Sequence, residues 1–312
     1  MTPLVPRMHL FEIDDQPWFP AWFRSRVQHA LMLAWITTAP ILQKASAAHV
    51  VAGLLRSNLA DTIREYVFID FCAGGGGPTP FVEKLVNAQL AAEAPVANGK
   101  AAAADKPVQF VLTDLHPHPR NWSEAAKESP NISYVDEPVD ASSAPASLIE
   151  RVRGQGKKVF RLFNLAFHHF DDPLARAILR DTVETSDGFG IFELQSRDIG
   201  SFFTCLVFGA GILILAPYYA YLWRSPATLF WVYCIPVLPF VLVFDGWISS
   251  LRTRTPDEVE ALFRTCRAYG GGPKLAKELE QWEIRSGRIM FLWPVGHLHW
   301  IVGLKNAKGR KP

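Results

Sequence analysis

The stretch YVFIDFCAGGGGPTPFVEKL, residues 66–85, sets a carboxylate, Asp70, four positions ahead of four consecutive glycines, Gly74 to Gly77. Residues without side chains let a ligand approach the backbone, and a helix starting just beyond them presents unsatisfied N–H groups that favour an anion. Further along, Asp114 lies in VLTDL, Asp140 follows Val139, and FNLAFHHFDD at 163–172 holds Asn164 four positions ahead of the adjacent pair His168 and His169. Histidine exchanges a proton near neutral pH, so this pair is the candidate for acid–base work. The plainer alternative is one ring packed on a ligand and one solvated loop residue. His297 and His299 alternate onto one face, but no further ligand types surround them and no metal site is expected.

These residues need a scaffold that brings them together. Val67, Phe68, Ile69 and Phe71 are β-branched or aromatic and read as a buried strand, and Pro80 opens a helix. Strand patterns recur at 108–115, 132–137, 158–167 and 188–194, with a helix expected from Pro173 to Thr185. Such alternation implies a parallel sheet wrapped by helices. A helix follows Thr255, and the segments 282–293 and 298–305 bring the strand count to seven, the last two suited to an antiparallel pair. The fold class expected is α/β, a Rossmann-like doubly wound seven-stranded sheet, mostly parallel with an antiparallel last strand. The central part of the alanine-rich stretch 91–107 is expected to be a mobile surface insertion.

Two further segments stand outside that pattern. Residues 18–56 carry Trp18, Trp22, Phe23, Leu31, Leu33 and Trp35 at helical spacing, with a break at Pro40, and form a helical preface. Glu12, Asp14 and Asp15 lie ahead of these aromatics, so the preface could serve as an active-site lid or as an interfacial anchor. From Ile199 to Trp223, and again to Phe244 after Arg224-Ser225-Pro226, no charged residue occurs. Each run is close to the ~20 residues a helix needs to cross a bilayer. Tyr218, Tyr219, Tyr221, Trp223, Trp231 and Tyr233 crowd the turn as an interfacial belt would. Arg197, Arg252 and Arg254 at the base put the catalytic part on the cytosolic side by the positive-inside bias. A buried hairpin or a lid in a soluble protein is the alternative. The expected divisions are a cap at 1–60, a cofactor-binding domain at 61–198, a transmembrane or membrane-embedded hairpin at 199–246, and the remainder of the sheet domain at 247–312.

Net charge is +2 over 312 residues, which argues against nucleic acid as the main partner, and the basic end KNAKGRKP is expected to be a solvated terminus. The four cysteines, Cys72, Cys205, Cys234 and Cys266, show no metal-ligand spacing and imply a reducing compartment. The N-terminus lacks the basic start and apolar core of a secretory signal. Sequons at Asn121 and Asn131 are therefore set aside. Nothing in the sequence fixes the oligomeric state.

Three ligand classes use a glycine turn of this sort. A P-loop needs Gly-Lys-Ser/Thr, and Pro78-Thr79-Pro80 excludes it. A dinucleotide turn is met in part by Gly74, Gly76 and Asp114, although position 79 is threonine. Over residues 60–195 and the final strands the chain resembles the class I, Rossmann-like S-adenosylmethionine-dependent methyltransferases. Their first motif resembles Asp70-Phe71-Cys72-Ala73-Gly74-Gly75-Gly76, with Cys72 where the family has its first glycine. The second resembles VLTDLHP, in which Asp114, followed by Leu115, would hold the ribose hydroxyls. The third resembles Val139-Asp140-Ala141, with Asp140 toward the adenine amino group and Asp136 as competitor. The fourth resembles FNLAFHHF, where Asn164 and Leu165 would lie beside the methionine part.

The resemblance implies S-adenosyl-L-methionine as cofactor, with its carboxylate on the glycine turn and its ammonium near Asp70. Together with the hairpin it implies a membrane-associated methyltransferase acting on a lipophilic small molecule or lipid. A catalytically inactive scaffold of the same fold is the alternative, and an NAD(P)-dependent oxidoreductase is a weaker one, lacking a tyrosine–lysine pair after the fourth strand.

Overall fold

The computed structural model describes residues 3–93, 96–97, 100–101, 106–266 and 272–306. Residues 94–95, 98–99 and 102–105 of the alanine-rich stretch and the last residues of the basic terminus lie outside the described residues. In chain order the elements are α1 (Ala21–Ile36), α2 (Ala47–Leu59), β1 (Tyr66–Asp70), α3 (Thr79–Ala92), β2 (Val96–Ala97), β3 (Lys100–Ala101), β4 (Gln109–Leu112) and α4 (Pro119–Glu128). There follow β5 (Ile132–Tyr134), α5 (Ala146–Arg153), β6 (Lys158–Asn164), α6 (Asp172–Thr185), β7 (Gly188–Glu193) and α7 (Ile199–Leu222). A short α8 (Ala227–Leu229) runs into a π-turn at Phe230–Cys234, and α9 (Val237–Arg252), α10 (Pro256–Thr265), α11 (Gly272–Leu279), β8 (Trp282–Leu292) and β9 (Gly296–Lys305) complete the chain.

Seven strands form one sheet in the order β5-β4-β1-β6-β7-β9-β8, parallel except for its last strands, with helices around it. The fold expected from the sequence is the fold observed. Every residue of β1 is buried, as befits a central parallel strand covered on both faces. Phe68 stacks on Phe110 at 4.7 Å and packs against Phe160 at 5.0 Å, so neighbouring strands interlock through aromatic rings. Val67↔Gln109 and Val67↔Val159 set the register on the two sides of β1. Helix α6 starts where Asp171 accepts a bond from the Leu174 N–H at 2.8 Å, with Pro173 in the first turn. The sequence pattern did not single out α4, α5 and α11.

The chain divides into two compact units. A sheet unit comprises Ala47–Phe192, Pro256–Gly287 and Trp300–Pro312, and a hairpin unit comprises Met1–Ser46, Glu193–Thr255 and Arg288–His299.

Within the hairpin unit α7 and α9 run antiparallel. Gly209 meets Val243 so closely that an added Cβ would lie 2.4 Å from it, and Gly246 meets Cys205 in the same way at 2.9 Å. Small residues at these positions let the helices approach. The preface packs on them through Phe19, Phe23, Val27 and Ala30 against Ile212, Ala216 and Val241. Among the described residues α7, at 24 residues, is the one unbroken helix long and apolar enough to cross a membrane. The segment from Ala227 to Arg252 qualifies only as a pair bent by 62°. The bend falls at Pro236, which lacks the N–H that a continuous helix would need. Much of α7 faces outward: Ile214 is 76% and Tyr221 82% exposed.

At the hairpin base Arg197, Arg252 and Arg254 are all buried. Arg252 lies 3.1 Å from Glu12 and 3.0 Å from Asp15, and its Nε donates to the Leu10 carbonyl. A buried charge requires such partners, and the N-terminal segment supplies them.

Candidate active site

In the sheet order the chain leaves β1 on opposite sides, toward β4 and toward β6, and a crevice outside the carboxyl ends of those strands is where open α/β sheets bind ligands. Asp70 ends β1 there and is 1% exposed. Its Oδ1 accepts the Cys72 N–H at 3.1 Å, and its Oδ2 accepts the Thr79 hydroxyl and, at 3.4 Å, the Asn164 Nδ2. Asn164 Nδ2 also donates to Thr79 Oγ1 at 3.0 Å. Burial pushes the Asp70 carboxyl up to about 6, against the downward pull of the bonds from Thr79, Cys72 and Asn164, and the neighbouring Asp114 charge adds to the rise.

The glycine turn is held from both sides. Gly74, Gly76 and Gly77 have φ of +48°, +110° and +50°, a region that glycine alone enters freely, so side chains are excluded here by backbone conformation. Cys72 has no positive φ, and it needs none: its N–H turns back onto Asp70 while Ala73 N–H bonds the Thr113 carbonyl at 3.0 Å. A cysteine is therefore accommodated where the resembled family has glycine. Asp114 Oδ2 accepts the Gly74 N–H at 2.8 Å, and its Oδ1 accepts the His116 N–H at 2.8 Å. On the other side Trp122 Nε1 donates to the Gly74 carbonyl at 2.9 Å and Asn121 Nδ2 to the Gly75 carbonyl at 3.3 Å. With its carbonyls bound by α4, the turn keeps N–H groups for a ligand. Among the described residues, those of Gly75 and Gly77 have no protein acceptor.

The remaining sequence candidates gather at the same strand ends. Val139 N–H bonds the Asp114 carbonyl at 2.9 Å and Val135 N–H bonds the Leu112 carbonyl at 3.0 Å, so both Asp140 and Asp136 follow a residue tied to the end of β4. Asp140 Oδ1 accepts both the N–H and the hydroxyl of Ser142 at 2.7 Å. Leu115 is exposed. Leu165 takes φ +52°, an uncommon conformation for a bulky residue, and its N–H bonds the Phe192 carbonyl at 2.8 Å. His168 is 2% exposed, and its ring lies 4.2 Å from that of the half-buried His169. His297 and His299 belong to the hairpin unit, where Asp198 Oδ2 lies 3.8 Å from the His299 ring and burial pushes that ring down to about 4.

Sequence reasoning missed Thr79, Asn121 and Trp122. Thr79 follows the turn as the residue that breaks the dinucleotide pattern, and that departure was the available signal. Nothing in sequence spacing connects Trp122 with Gly74.

A methionine-derived adenosyl cofactor would need a carboxylate and an acceptor for its ammonium, and N–H donors for its own carboxylate. Both are present: Asn164, at the end of β6 and bonded to Asp70 through Nδ2, has its Oδ1 buried without a hydrogen-bond partner, and the glycine turn follows the neighbouring β1.

The sequence matches no protein-family model and no curated protein. Among solved structures, a Nostoc punctiforme protein assigned by inference as an O-methyltransferase shares 14% identity, with 96% of this chain and 64% of its own covered and a TM-score of 0.43. The 1,6-didemethyltoxoflavin-N1-methyltransferase of Burkholderia thailandensis, solved with 1,6-didemethyltoxoflavin and S-adenosylhomocysteine, shares 13% identity over 94% of this chain and 93% of its own, TM-score 0.43. A Rhodobacter sphaeroides protein assigned by inference to the zinc-dependent alcohol dehydrogenases reaches the same TM-score at 9% identity, covering 89% and 98%.

Proposed function

We propose that this chain is an S-adenosylmethionine-dependent methyltransferase, held at a membrane by α7 and α9 with its sheet unit on the cytosolic side, and acting on a lipophilic small molecule or lipid. The observation that carries the cofactor is the convergence of Asp70, the unpartnered Asn164 Oδ1 and the N–H groups of the glycine turn at the carboxyl ends of adjacent strands.

Asp70 and Asn164 Oδ1 would hold the cofactor ammonium, and the Gly75 and Gly77 N–H groups would hold its carboxylate. Each Asp114 oxygen already accepts one backbone N–H and keeps a second lone pair for a ribose hydroxyl. Asp140 would accept from the adenine amino group. When bound, the cofactor supplies an electrophilic methyl group. His169, the more accessible of the two rings, would take a proton from an acceptor hydroxyl or ammonium at a ring nitrogen, with His168 packed behind it.

The membrane part rests on the length and outward apolar face of α7, together with the exposed Tyr218, Tyr221 and Tyr233. The hairpin leaves from β7 and returns to α10, so the segments on either side of it share one compartment. Calorimetric titration of detergent-purified protein with S-adenosylmethionine, S-adenosylhomocysteine and NADPH tests the cofactor. Tight binding of the two adenosyl ligands alone is expected. Tight NADPH binding would overturn the assignment, and binding of none would favour an inactive scaffold.

A further inference from the structure

We infer that the hairpin unit contains a binding cleft for a single acyl or isoprenoid tail of a membrane amphiphile. The inference rests on the membrane reading above and is independent of the cofactor.

A cavity of about 370 Å³ lies at the base of the hairpin, walled by Leu4, Val5, Ile199, Phe202, Trp247 and Leu251. That volume falls within the roughly 300–1,000 Å³ span of small-molecule clefts. Phe202 and Trp247 stack face to face, 4.7 Å apart and 5° from parallel, and give the cleft one flat aromatic wall. The opposite wall is the N-terminal segment, fixed by Leu4 N–H to the Arg197 carbonyl and Met8 N–H to the Leu251 carbonyl, each at 3.0 Å. The cleft is thus a built feature and not a gap under a loose end.

Polar lining residues turn their polar atoms elsewhere. Ser250 Oγ donates to the Gly246 carbonyl, Asp198 Oδ1 caps α7 by accepting the Ser201 N–H, and Arg197 Nη1 donates to the Val5 carbonyl. The surface left to a ligand is almost wholly carbon. A sugar, a nucleotide, a lipid headgroup or a peptide backbone would bring donors and acceptors into a place that cannot pair them. An apolar tail pays no such penalty, and an apolar cleft of this kind does not retain ordered water.

The source of the tail follows from the mouth. Leu4, Ile199 and Phe202 are 62%, 61% and 44% exposed, and α7 continues from them with exposed Phe203, Leu206 and Val207. The cleft therefore opens onto the same apolar face that the hairpin offers to lipid, and a chain can enter without crossing water.

The full chain, reconstituted in phosphatidylcholine nanodiscs without any adenosyl ligand, is labelled with hexadecanoic acid bearing a photoreactive diazirine, and separately with phosphatidylcholine carrying that acyl chain. Labelled peptides are mapped. Saturable labelling of residues 4–5, 199–202 and 247–251, at least tenfold reduced by Val5→Trp and retained by Val5→Leu, is the expected result with one or both probes. The probe that labels identifies whether the tail arrives free or on a bilayer lipid. Labelling spread along α7 without saturation, or unchanged in Val5→Trp, overturns the cleft. Thermal melting of both variants checks that the unit is folded, and flotation of the unmodified chain on liposomes tests the membrane reading separately.

Discussion

In the sheet unit Phe68, Phe110 and Phe160 are fully buried in an aromatic ladder, whereas in the hairpin unit Ile214, Tyr221 and Phe240 stand 76%, 82% and 58% exposed. Charged groups show the reverse contrast. The hairpin unit encloses Glu12 and Arg252 as an ion pair that also engages Ser249 and Asp15. In the sheet unit Arg161 is paired with Asp181, Asp70 is ringed by donors, and Glu83 Oε1 accepts from Asn87 and Asn131. Water rewards the first arrangement through apolar burial, and it rewards the outside of the second not at all. The contrast is the one that the proposed seating of α7 in lipid requires.

The widest gap between the units is expected from truncating one phenylalanine in each. Phe110→Ala should cost about 3–5 kcal/mol in chemical denaturation, the value for a fully buried ring, whereas Phe240→Ala in detergent should stay within about 0.5 kcal/mol. A comparable loss at Phe240 would mean that its ring is packed against protein in solution and would break the contrast. Next in size, Ile214→Asp should leave melting in detergent unchanged while lowering membrane partition by about 2.5–3.5 kcal/mol, the insertion cost of aspartate near a helix centre. Undiminished flotation on liposomes would remove α7 from the bilayer. A point substitution is the sharper tool here, because removing the whole hairpin would strip the preface residues Phe19, Phe23 and Val27 of their packing partners.

The buried carboxylate of the sheet unit gives a pH signature. Asp70 has a folded pKa raised from 3.8 to about 6, so the stability tied to its neutral form is complete below pH 4 and is lost as pH rises through about 6. A bound ammonium reverses that preference by favouring the ionised form. Affinity for S-adenosylmethionine should therefore fall about tenfold, roughly 1.4 kcal/mol, per pH unit below about 6. In Asp70→Asn the affinity should be weak at every pH and the slope absent. A slope that persists in the variant would assign the titration to another group.

The strands were legible because central parallel strands are buried on both faces, so that VFIDF and KVFRLFN read as largely apolar runs, broken by Asp70 in the first and by the ion-paired Arg161 in the second. The short helices α4, α5 and α11 gave no such signal. Asp70, the glycines, Asp114 and Asn164 could be read because local chain order puts them at strand ends. What surrounds them could not. Arg252 is paired with Glu12 and Asp15 from the far end of the chain, a contact that no local sequence pattern announces. The missing glycine at Cys72 looked like a departure until backbone geometry showed that no left-handed conformation is needed there.

Trp122 makes the smallest and most local test of the cradle. Its indole is fully buried, it lies 3.9 Å from the Cβ that Gly76 lacks, and its Nε1 holds the Gly74 carbonyl at 2.9 Å. Trp122→Phe keeps most of the apolar volume and deletes one hydrogen bond, which should cost about 1 kcal/mol of stability. The Gly74 carbonyl is then free to rotate, and any rotation carries the Gly75 N–H with it, since the two belong to one peptide plane. Affinity for an adenosyl ligand should fall by a few-fold more than the same substitution changes melting. Equal affinity in the variant would show that the turn is held by its φ angles and by Asp114 alone, and that the indole is packing for α4.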